Sequence, residues 1–396
     1  MTDKKTLVFG DIAKQIMERV TPSPEDSKKF IGLEHLRSGY FFVHQWGSDI
    51  ALKTQAFRVK SGDIIFSRRN TYLKRISVSQ IDGICSADAM VIRPIADDTL
   101  VEEGYLPHLM QSTSFMEKVI ANSAGSLSSR VKWSELSQLR ITVPTKKQQA
   151  KTLKVLDSIA KKELMYVESL QSANRLLYAL GLRVFDNYFD ARKSKRVKLP
   201  DDWSEVSIKE VLNSTPESGF SPVEVSNETG KYVLNLNSLS KAGFRETTLK
   251  KISEEHFNKG KVCKINDLYI SRSNTAELVG LVGKYRSSQG EGRTIFPDTM
   301  WRLNVNQEIM KQDFLMYYLM SPYGRRSIQA IAAGTSGSMK KINKESFSKL
   351  RVPLPPLEVQ SKIIALFEQA YSNVWRFNDS LTSTLELRQA VIDRDL

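Results

Sequence analysis

The sequence contains few residues that could crosslink the chain or hold a metal ion. Among its 396 residues are two cysteines, Cys85 and Cys263, and four histidines, namely His35, His44, His108 and His256. Two cysteines cannot build a disulfide framework, and no histidine lies at zinc-ligand spacing from a cysteine. We therefore expect neither a disulfide-stabilised scaffold nor a structural metal.

The sequence also lacks long apolar runs. None approaches the roughly 20 residues that a membrane-spanning helix needs. The chain begins Met-Thr-Asp-Lys-Lys-Thr-Leu, without the apolar stretch of a secretory signal. We expect a cytoplasmic protein with no membrane partner.

Three enzyme motifs are missing. An amino-methyltransferase carries Asn/Asp-Pro-Pro-Tyr/Phe, whereas the Pro-Pro pair here, residues 355–356, stands between leucines. A phosphate-binding loop needs Gly-x4-Gly-Lys-Ser/Thr, but the nearest match, at Gly283, has Leu278 as its first residue and lacks the final Ser/Thr. Asp298 has no downstream Glu-x-Lys partner of the kind that nucleases use to hold a metal. We therefore expect a non-catalytic chain with no catalytic residues, cofactor or metal.

Positive charge, in contrast, is abundant. The formal net charge is +14 and the isoelectric point is about 9.5. Lys and Arg that neutralise phosphates release condensed counterions, so this balance points to a polyanion partner. A solvated basic surface would give the same composition, and charge alone does not separate the two interpretations.

An internal repeat organises the chain. Residues 60–71, Lys-Ser-Gly-Asp-Ile-Ile-Phe-Ser-Arg-Arg-Asn-Thr, reappear at 264–275 as Lys-Ile-Asn-Asp-Leu-Tyr-Ile-Ser-Arg-Ser-Asn-Thr. Later, Asp-Ala-Met at 88–90 is answered by Asp-Thr-Met at 298–300, and Leu-Arg-Ile-Thr-Val-Pro at 139–144 by Leu-Arg-Val-Pro-Leu-Pro at 350–355. Ordered matches of this kind indicate two copies of one plan.

The sequence pattern of each copy predicts a fold that mixes strands and helices. Short alternating runs bounded by Gly, Asn, Asp and Ser predict strands, most clearly at 64–66 and 268–270. Apolar residues then recur at three and four over 106–120 and 314–331, which predicts helices. The expected fold class is α/β mixed (α+β).

Each copy ends in a long proline-free segment with a narrow apolar stripe, which is typical of a two-helix seam. At about 1.5 Å per residue, such helices exceed the roughly 34–36 Å of one DNA turn, so we interpret them as spacers. Ordinary amphipathic helices packed on their own domains remain an alternative. The predicted seam consists of Leu156, Ile159, Tyr166, Leu170, Leu177, Leu180, Phe367, Val374, Phe377 and Leu381.

Several basic and polar residues are candidates for DNA contacts. Those common to both copies cannot encode two different targets, so base readout is expected where the copies diverge, at 69–80 and 275–292. A bracing role in the fold, or a place on a solvated surface turn, remains open for each of them. The candidates are Arg68, Arg69, Lys74, Arg75, Arg130, Lys132, Arg272, Asn274, Lys284, Arg286, Lys340 and Lys341.

This plan resembles the specificity (S) subunits of type I restriction-modification enzymes. The carriers are Leu-Pro-Asp-Asp-Trp at 199–203, Asp-Leu-Tyr-Ile-Ser-Arg at 267–272 with its twin at 63–68, and Leu-Arg-Val-Pro-Leu-Pro-Pro-Leu-Glu-Val-Gln at 350–360 before a long helix. The first copy departs from the pattern, because Thr-Leu-Val-Phe-Gly-Asp-Ile at 6–12 replaces the Leu-Pro-x-x-Trp opening.

The resemblance implies a subunit that reads a bipartite double-stranded DNA target. Its partners would be two DNA adenine methyltransferase (M) subunits and ATP-dependent restriction (R) subunits. The expected domains are a target recognition domain at 1–147, a long helix at 148–190, a second recognition domain at 191–358 and a second long helix at 359–396, the two helices forming an antiparallel coiled coil. A free-standing DNA-binding nuclease with an unrecognised active site and a coiled-coil protein scaffold are the competing hypotheses.

Overall fold

The computed structural model describes residues 4–47, 55–95, 100–123, 130–185, 200–245, 249–286, 291–334 and 339–396. The chain divides into two compact units. Unit 1 comprises residues 1–170 with 376–396, and unit 2 comprises residues 171–375. Each unit therefore contains part of both long helices, Lys146–Phe185 and Leu357–Asp395.

Unit 1 is built around two four-stranded sheets. Its strands are β1 (Lys5–Val8), β2 (Ala13–Ile16), β3 (Arg19–Val20), β4 (Phe30–Ile31), β5 (Ala56–Val59), β6 (Ile64–Ser67), β7 (Ile76–Val78), β8 (Gly83–Ser86), β9 (Ala89–Pro94) and β10 (Arg140–Val143). One sheet has the order β2-β9-β6-β7 and the other β3-β5-β8-β4, while β1 pairs with β10. Only the pairing of β4 with β8 is parallel among these described strands.

Strand β6 is apolar on both faces because it separates two cores. Side chains alternate across a strand, so Ile64 and Phe66 enter the larger core while Ile65 enters the smaller one. The larger core continues into the helices of unit 1. These are α1 (Phe9–Ile12), α2 (Tyr105–Met110), α3 (Thr113–Ala121), α4 (Trp133–Leu136) and the first part of α5 (Lys146–Phe185).

Unit 2 repeats this plan. Its strands are β11 (Ser204–Ser207), β12 (Glu217–Ser218), β13 (Tyr232–Val233), β14 (Leu239–Ser240), β15 (Gly243–Phe244), β16 (Lys250–Lys251), β17 (Leu268–Ser271), β18 (Ser273–Asn274), β19 (Val282–Lys284), β20 (Thr294–Ile295), β21 (Met300–Leu303), β22 (Lys340–Lys341) and β23 (Arg351–Leu354). Its helices are α6 (Glu254–Lys259), α7 (Gln312–Met320), α8 (Pro322–Ile331), α9 (Lys344–Ser348) and the first part of α10 (Leu357–Asp395). The sheet order β12-β21-β17-β19 matches β2-β9-β6-β7, and β13 pairs parallel with β20 as β4 does with β8.

The same polar contacts recur at equivalent places. Gln149 donates to the Pro144 carbonyl at 2.8 Å and accepts from the Glu102 amide at 2.8 Å. In unit 2, Gln360 donates to the Pro355 carbonyl at 2.8 Å and accepts from the backbone amide of residue 311 at 2.7 Å. Both glutamines are fully buried, so each ties the start of a long helix to its own unit. The predicted mixed fold and internal repeat are confirmed.

Strand register corrects one detail of the sequence alignment. Ser67 lies opposite Ala89, whereas Ser271 lies opposite Met300. The equivalent of Met300 is therefore Ala89 and not Met90. The sequence match of 88–90 with 298–300, which rests on the shared Asp and Met, is one residue out of register with the strands. The unusual opening of unit 1 does not change its fold, since β1 pairs antiparallel with β10 just as β11 does with β23.

None of the described helices combines the length and the apolar character that crossing a lipid bilayer requires.

Candidate DNA interface

Three arginines of unit 1 surround the carboxylate of Asp88. Arg69 Nη1 lies 2.9 Å from Asp88 Oδ2, Arg130 Nη2 lies 2.6 Å from Oδ1, and Arg68 Nη2 lies 3.9 Å from Oδ1. The strand-like bridge between Arg69 and Arg130 brings these distant residues together. One carboxylate cannot neutralise three guanidinium groups, and about a third to a half of each arginine side chain is exposed. The cluster therefore presents oriented positive charge to solvent.

Unit 2 forms a related cluster at the same place in its fold. β18 pairs antiparallel with β22, which sets Asn274 opposite Lys340 and Ser273 opposite Lys341. Arg272 Nη1 lies 3.9 Å from Asp298 Oδ2, so the ion pair is looser than those of Arg69 and Arg130. The structure thus brings together the predicted residues 272, 274, 340 and 341, as it brings together 68, 69 and 130 in unit 1.

Lys74 and Arg75 belong to the loop that joins β6 to β7, which runs from Arg68 to Arg75 and is called the basic loop below. Both side chains are half-buried, and the 3₁₀ turn Thr71–Leu73 lies between them and Arg69. Lys132, just after the arginine cluster, is exposed at the start of α4. These predicted residues are all accessible in unit 1.

Lys284 and Arg286 are placed less favourably for DNA. The Lys284 ammonium lies 2.5 Å from Asp313 Oδ1 and the side chain is only 13% exposed, so this charge is already neutralised inside unit 2. This pairing favours the bracing role in the fold, which is the alternative to a DNA contact for this residue. Arg286 is exposed, and its guanidinium lies 6.0 Å from the ring centroid of Trp375.

Three segments of interest lie outside the described residues. They are the small-residue stretches that precede Arg130 and Lys340, at 124–129 and 335–338, and the run at 192–198, in which five of seven residues are basic and which we expect to be an exposed linker between the two copies.

The two long helices pack antiparallel. In unit 1, Thr152 near the start of α5 hydrogen-bonds Asp395 at the end of α10 at 3.2 Å. In unit 2, the Phe185 ring at the end of α5 stacks on Phe367 near the start of α10, with centroids 6.2 Å apart. Contacts between opposite helix ends in each unit confirm the predicted antiparallel pairing.

Most predicted seam residues are buried, but the stripe runs differently along α5. Leu156, Ile159, Leu177, Phe367, Val374 and Leu381 are buried, whereas Tyr166, Leu170, Leu180 and Phe377 are only half-buried. The buried stripe of α5 also includes Ala173, which fits the predicted spacing of three and four, and Val167. Glu163 is buried at the seam position that the apolar residues skip between Ile159 and Tyr166.

Glu163 is fully buried because unit 1 supplies its hydrogen bonds. Its carboxylate accepts the Phe41 backbone N–H at 2.9 and 3.1 Å and lies 2.9 Å from His44 Nε2. Such a carboxylate is stable in the interior only while its partners remain in place.

Arg388 on α10 is the residue that the sequence analysis missed. It is 1% exposed, its Nη1 donates to the Gly39 carbonyl at 3.3 Å, and its Nη2 hydrogen-bonds Gln111 and lies 3.2 Å from His108 Nδ1. Burial lowers the pKa of Arg388 to about 10, so the guanidinium stays protonated at neutral pH. Extending the three-and-four spacing of α10 beyond Leu381 would have reached this position through residue 384.

The described residues contain no group of three or more His, Cys, Asp or Glu side chains able to hold a metal ion. Cys85 and Cys263 are buried, and burial raises the pKa of each thiol to about 12. Neither cysteine is a reactive thiolate at neutral pH.

A duplicated α/β unit with a basic cluster at the same place in each copy, joined to an antiparallel helix pair, defines a two-unit recognition protein. Residues 200–386 match the family model described as type I restriction modification DNA specificity domain. A solved S subunit of a type I restriction-modification system from M. genitalium shares the fold, with a TM-score of 0.54 at 10% identity over 100% of this chain and 96% of that chain.

Curated relatives extend the match over most of the chain. The type I restriction enzyme EcoKI specificity subunit of Escherichia coli K12 is 21% identical over 320 residues, covering 78% of this chain and 68% of that protein. The HindI specificity subunit of Haemophilus influenzae is 22% identical over 440 residues, covering 94% and 95% respectively. The chain is thus similar to specificity subunits of type I restriction-modification enzymes, in agreement with the resemblance of its sequence motifs.

Proposed function

We propose that this chain reads a bipartite double-stranded DNA target, with unit 1 contacting one half-site and unit 2 the other, and so directs methyltransferase and restriction subunits to that target. The observation that carries the proposal is the doubled basic cluster. Arg68, Arg69 and Arg130 occupy the same place in unit 1 as Arg272 and the β18–β22 pair occupy in unit 2. Two equivalent basic surfaces, one in each unit, could each bind one half-site of the same DNA.

The contacts divide into two kinds. Arg68 and Arg272 stand at the same position of the repeat and are assigned to phosphates, because a residue common to both units cannot distinguish two sequences. Arg69, Lys74 and Arg75 in unit 1, and residues 275–292 in unit 2, differ between the units and are assigned to base contacts that distinguish the two half-sites. Lys340, Lys341, Arg130 and Lys132 border each cluster and would add phosphate contacts.

The chain would consist of two recognition domains and two spacer helices. Residues 1–147 and 191–358 would be the two recognition domains, with 148–190 and 359–396 as the helices that set the spacing of the half-sites. The helix pair would also dock two methyltransferase subunits, and restriction subunits would join that complex. Because DNA is the target, the site of action would be the cytoplasm.

The chain itself would perform no chemistry. Its sequence lacks the methyltransferase and phosphate-loop motifs, and the described residues offer no metal-binding cluster. We therefore expect no binding of S-adenosylmethionine by the chain alone.

Duplex binding of the purified full chain tests the proposal against both rivals. The expected affinity for random-sequence duplexes falls steeply between 50 and 200 mM salt, since each phosphate contact adds about 0.9 to the log–log slope. A slope near zero would favour a protein scaffold. Metal-dependent cleavage of the same duplexes would favour a free-standing nuclease.

A further inference from the structure

The basic loop of unit 1 is rigidly held. At its base, the Ser67 backbone N–H donates to the Arg75 carbonyl at 3.0 Å, and Ser67 Oγ donates to the Arg69 carbonyl at 2.9 Å. In its middle, Thr71 is 1% exposed and its hydroxyl bonds Ser123 Oγ at 3.2 Å. The loop therefore has a defined shape before any partner binds.

That shape includes two residues in a costly conformation. Asn70 and Lys74 both adopt left-handed backbone angles, with φ of 52° and 48°. A side chain makes this region unfavourable by roughly 1–2 kcal/mol for a residue such as Lys74, whereas asparagine enters it more readily. Such conformations persist where the surrounding structure enforces them, and they concentrate at binding sites. The pair brackets the turn Thr71–Leu73 and fixes how that turn projects.

Tyr72 occupies the middle of this turn and is 56% exposed. Because the loop is fixed and the ring is exposed, the aromatic face of Tyr72 is held in place and is accessible to a partner. Arg69, Lys74 and Arg75 flank it, and their charges attract phosphates to the same place. The ring has no charge of its own, and its flat apolar faces suit contact with bases rather than with phosphates.

Unit 2 has no such residue at this place. β17 and β19 correspond to β6 and β7, but the residues that join them, 272–281, include no aromatic side chain. This connection is two residues longer than the basic loop, because the Ser67 N–H donates to the Arg75 carbonyl whereas the Ser271 N–H donates to the Leu281 carbonyl. Within it the left-handed position is taken by Gly280, with φ of 73°, where no side chain is strained. The feature therefore belongs to one recognition unit and not to the shared scaffold.

We propose that Tyr72 contacts a base of the half-site read by unit 1 and contributes to its sequence preference. This inference rests on the proposed DNA-reading function. The strained backbone positions the ring, and the three cations draw the duplex toward it. Base specificity at one or two adjacent positions of one half-site would then depend on this single side chain.

Selection from a pool of duplexes with 20 randomised base pairs tests the inference with the full chain. Tyr72→Ala should bind the wild-type consensus about tenfold more weakly and should lose preference at one or two adjacent positions of one half-site only. The slope of affinity against salt should stay unchanged, because no charge is removed. Tyr72→Phe, which keeps the ring, should stay within about threefold of wild type.

Tyr178→Ala is the matched control, since Tyr178 is 60% exposed on α5 in unit 2. It should select the wild-type consensus at wild-type affinity. An unchanged consensus and affinity for Tyr72→Ala would overturn the inference, and so would a salt slope lowered by about one, which indicates a collapsed loop. If the wild-type chain selects no consensus, the proposed DNA-reading function itself is wrong.

Discussion

Units 1 and 2 share a fold but stabilise their helix seams in opposite ways. In unit 1 the seam buries two charged residues, Glu163 and Arg388. Glu163 accepts from the backbone of Phe41, and Arg388 donates to the backbone of Gly39. The same positions of the repeat in unit 2 hold Val374 and Leu177, both buried. A polar seam requires its partners to be placed in one arrangement, whereas an apolar seam tolerates small shifts. We therefore expect the helix seam of unit 1 to be held in a single arrangement more strictly than the helix seam of unit 2.

The loops over the equivalent strands differ just as clearly. Residues 67–75 carry four basic side chains and no acidic one, whereas the corresponding residues 271–281 carry Arg272 and Glu277. The strands beneath pair antiparallel in both units, while the connection between them is two residues longer in unit 2. Duplication has kept the parts that build the fold and changed the loop that faces solvent, which is where two different half-sites would be read.

Removing the buried carboxylate should have the largest effect. Glu163→Ala leaves His44 and two backbone amides without an acceptor and should destabilise unit 1 by about 3–5 kcal/mol. The matched change in unit 2, Val374→Ala, removes only apolar contacts and should cost roughly 1–3 kcal/mol. Hydrogen exchange along a urea series, resolved by peptide, measures each unit separately. Equal losses in the two variants would contradict the contrast between the seams.

Acid should weaken unit 1 through His108. Burial lowers the pKa of this imidazole to about 4, although Asp157 opposes the shift and Arg388 adds to it. The unfolded chain, with an ordinary pKa near 6.5, binds the proton first, so stability is lost as pH falls from about 6.5 to 4, by roughly 3 kcal/mol in all.

Unit 2 offers the control for this effect. Ser112 and Ser321 are the equivalent helix caps of units 1 and 2. The residue four positions before the cap is His108 in unit 1 and Tyr317 in unit 2. His108→Gln should flatten the acid loss of unit 1, and Tyr317→Phe should leave the pH profile of unit 2 as it is. Peptide-resolved exchange at pH 7.5 and 4.5 decides this, and an equally steep profile in His108→Gln would argue against the assignment.

Neutralising the basic loop should have a smaller effect, confined to DNA binding. The triple change Arg69→Gln, Lys74→Gln and Arg75→Gln should lower the salt slope by up to about 2.7, at about 0.9 per lost contact. The control alters three lysines exposed on α5, and it should leave the slope unchanged. It consists of Lys154→Gln, Lys161→Gln and Lys162→Gln. Equal slopes for the two triple variants would show that the basic loop is not a DNA surface.

The sequence predicted the features that repeat or alternate. Apolar runs at 64–66 and 268–270 became central strands because both of their faces are buried, and the heptad-like spacing found the helix pair. The spacing of α10 reaches position 388, but it does not predict that an arginine is buried there, since a long charged residue is expected to face solvent unless its tertiary partners are known. The pairing of Lys284 with Asp313 was unpredictable for the same reason, because the two residues are distant in sequence. The convergence of Arg69 and Arg130 on Asp88 likewise depends on folding.

Exchange of one recognition unit tests the central claim most directly. Residues 204–345 would be replaced by the same region of a specificity subunit with a different target, and the complex with the methyltransferase partner would be used to map methylated adenines. We expect one half of the target to change while the other half keeps its sequence. A change in both halves would contradict independent reading by the two units.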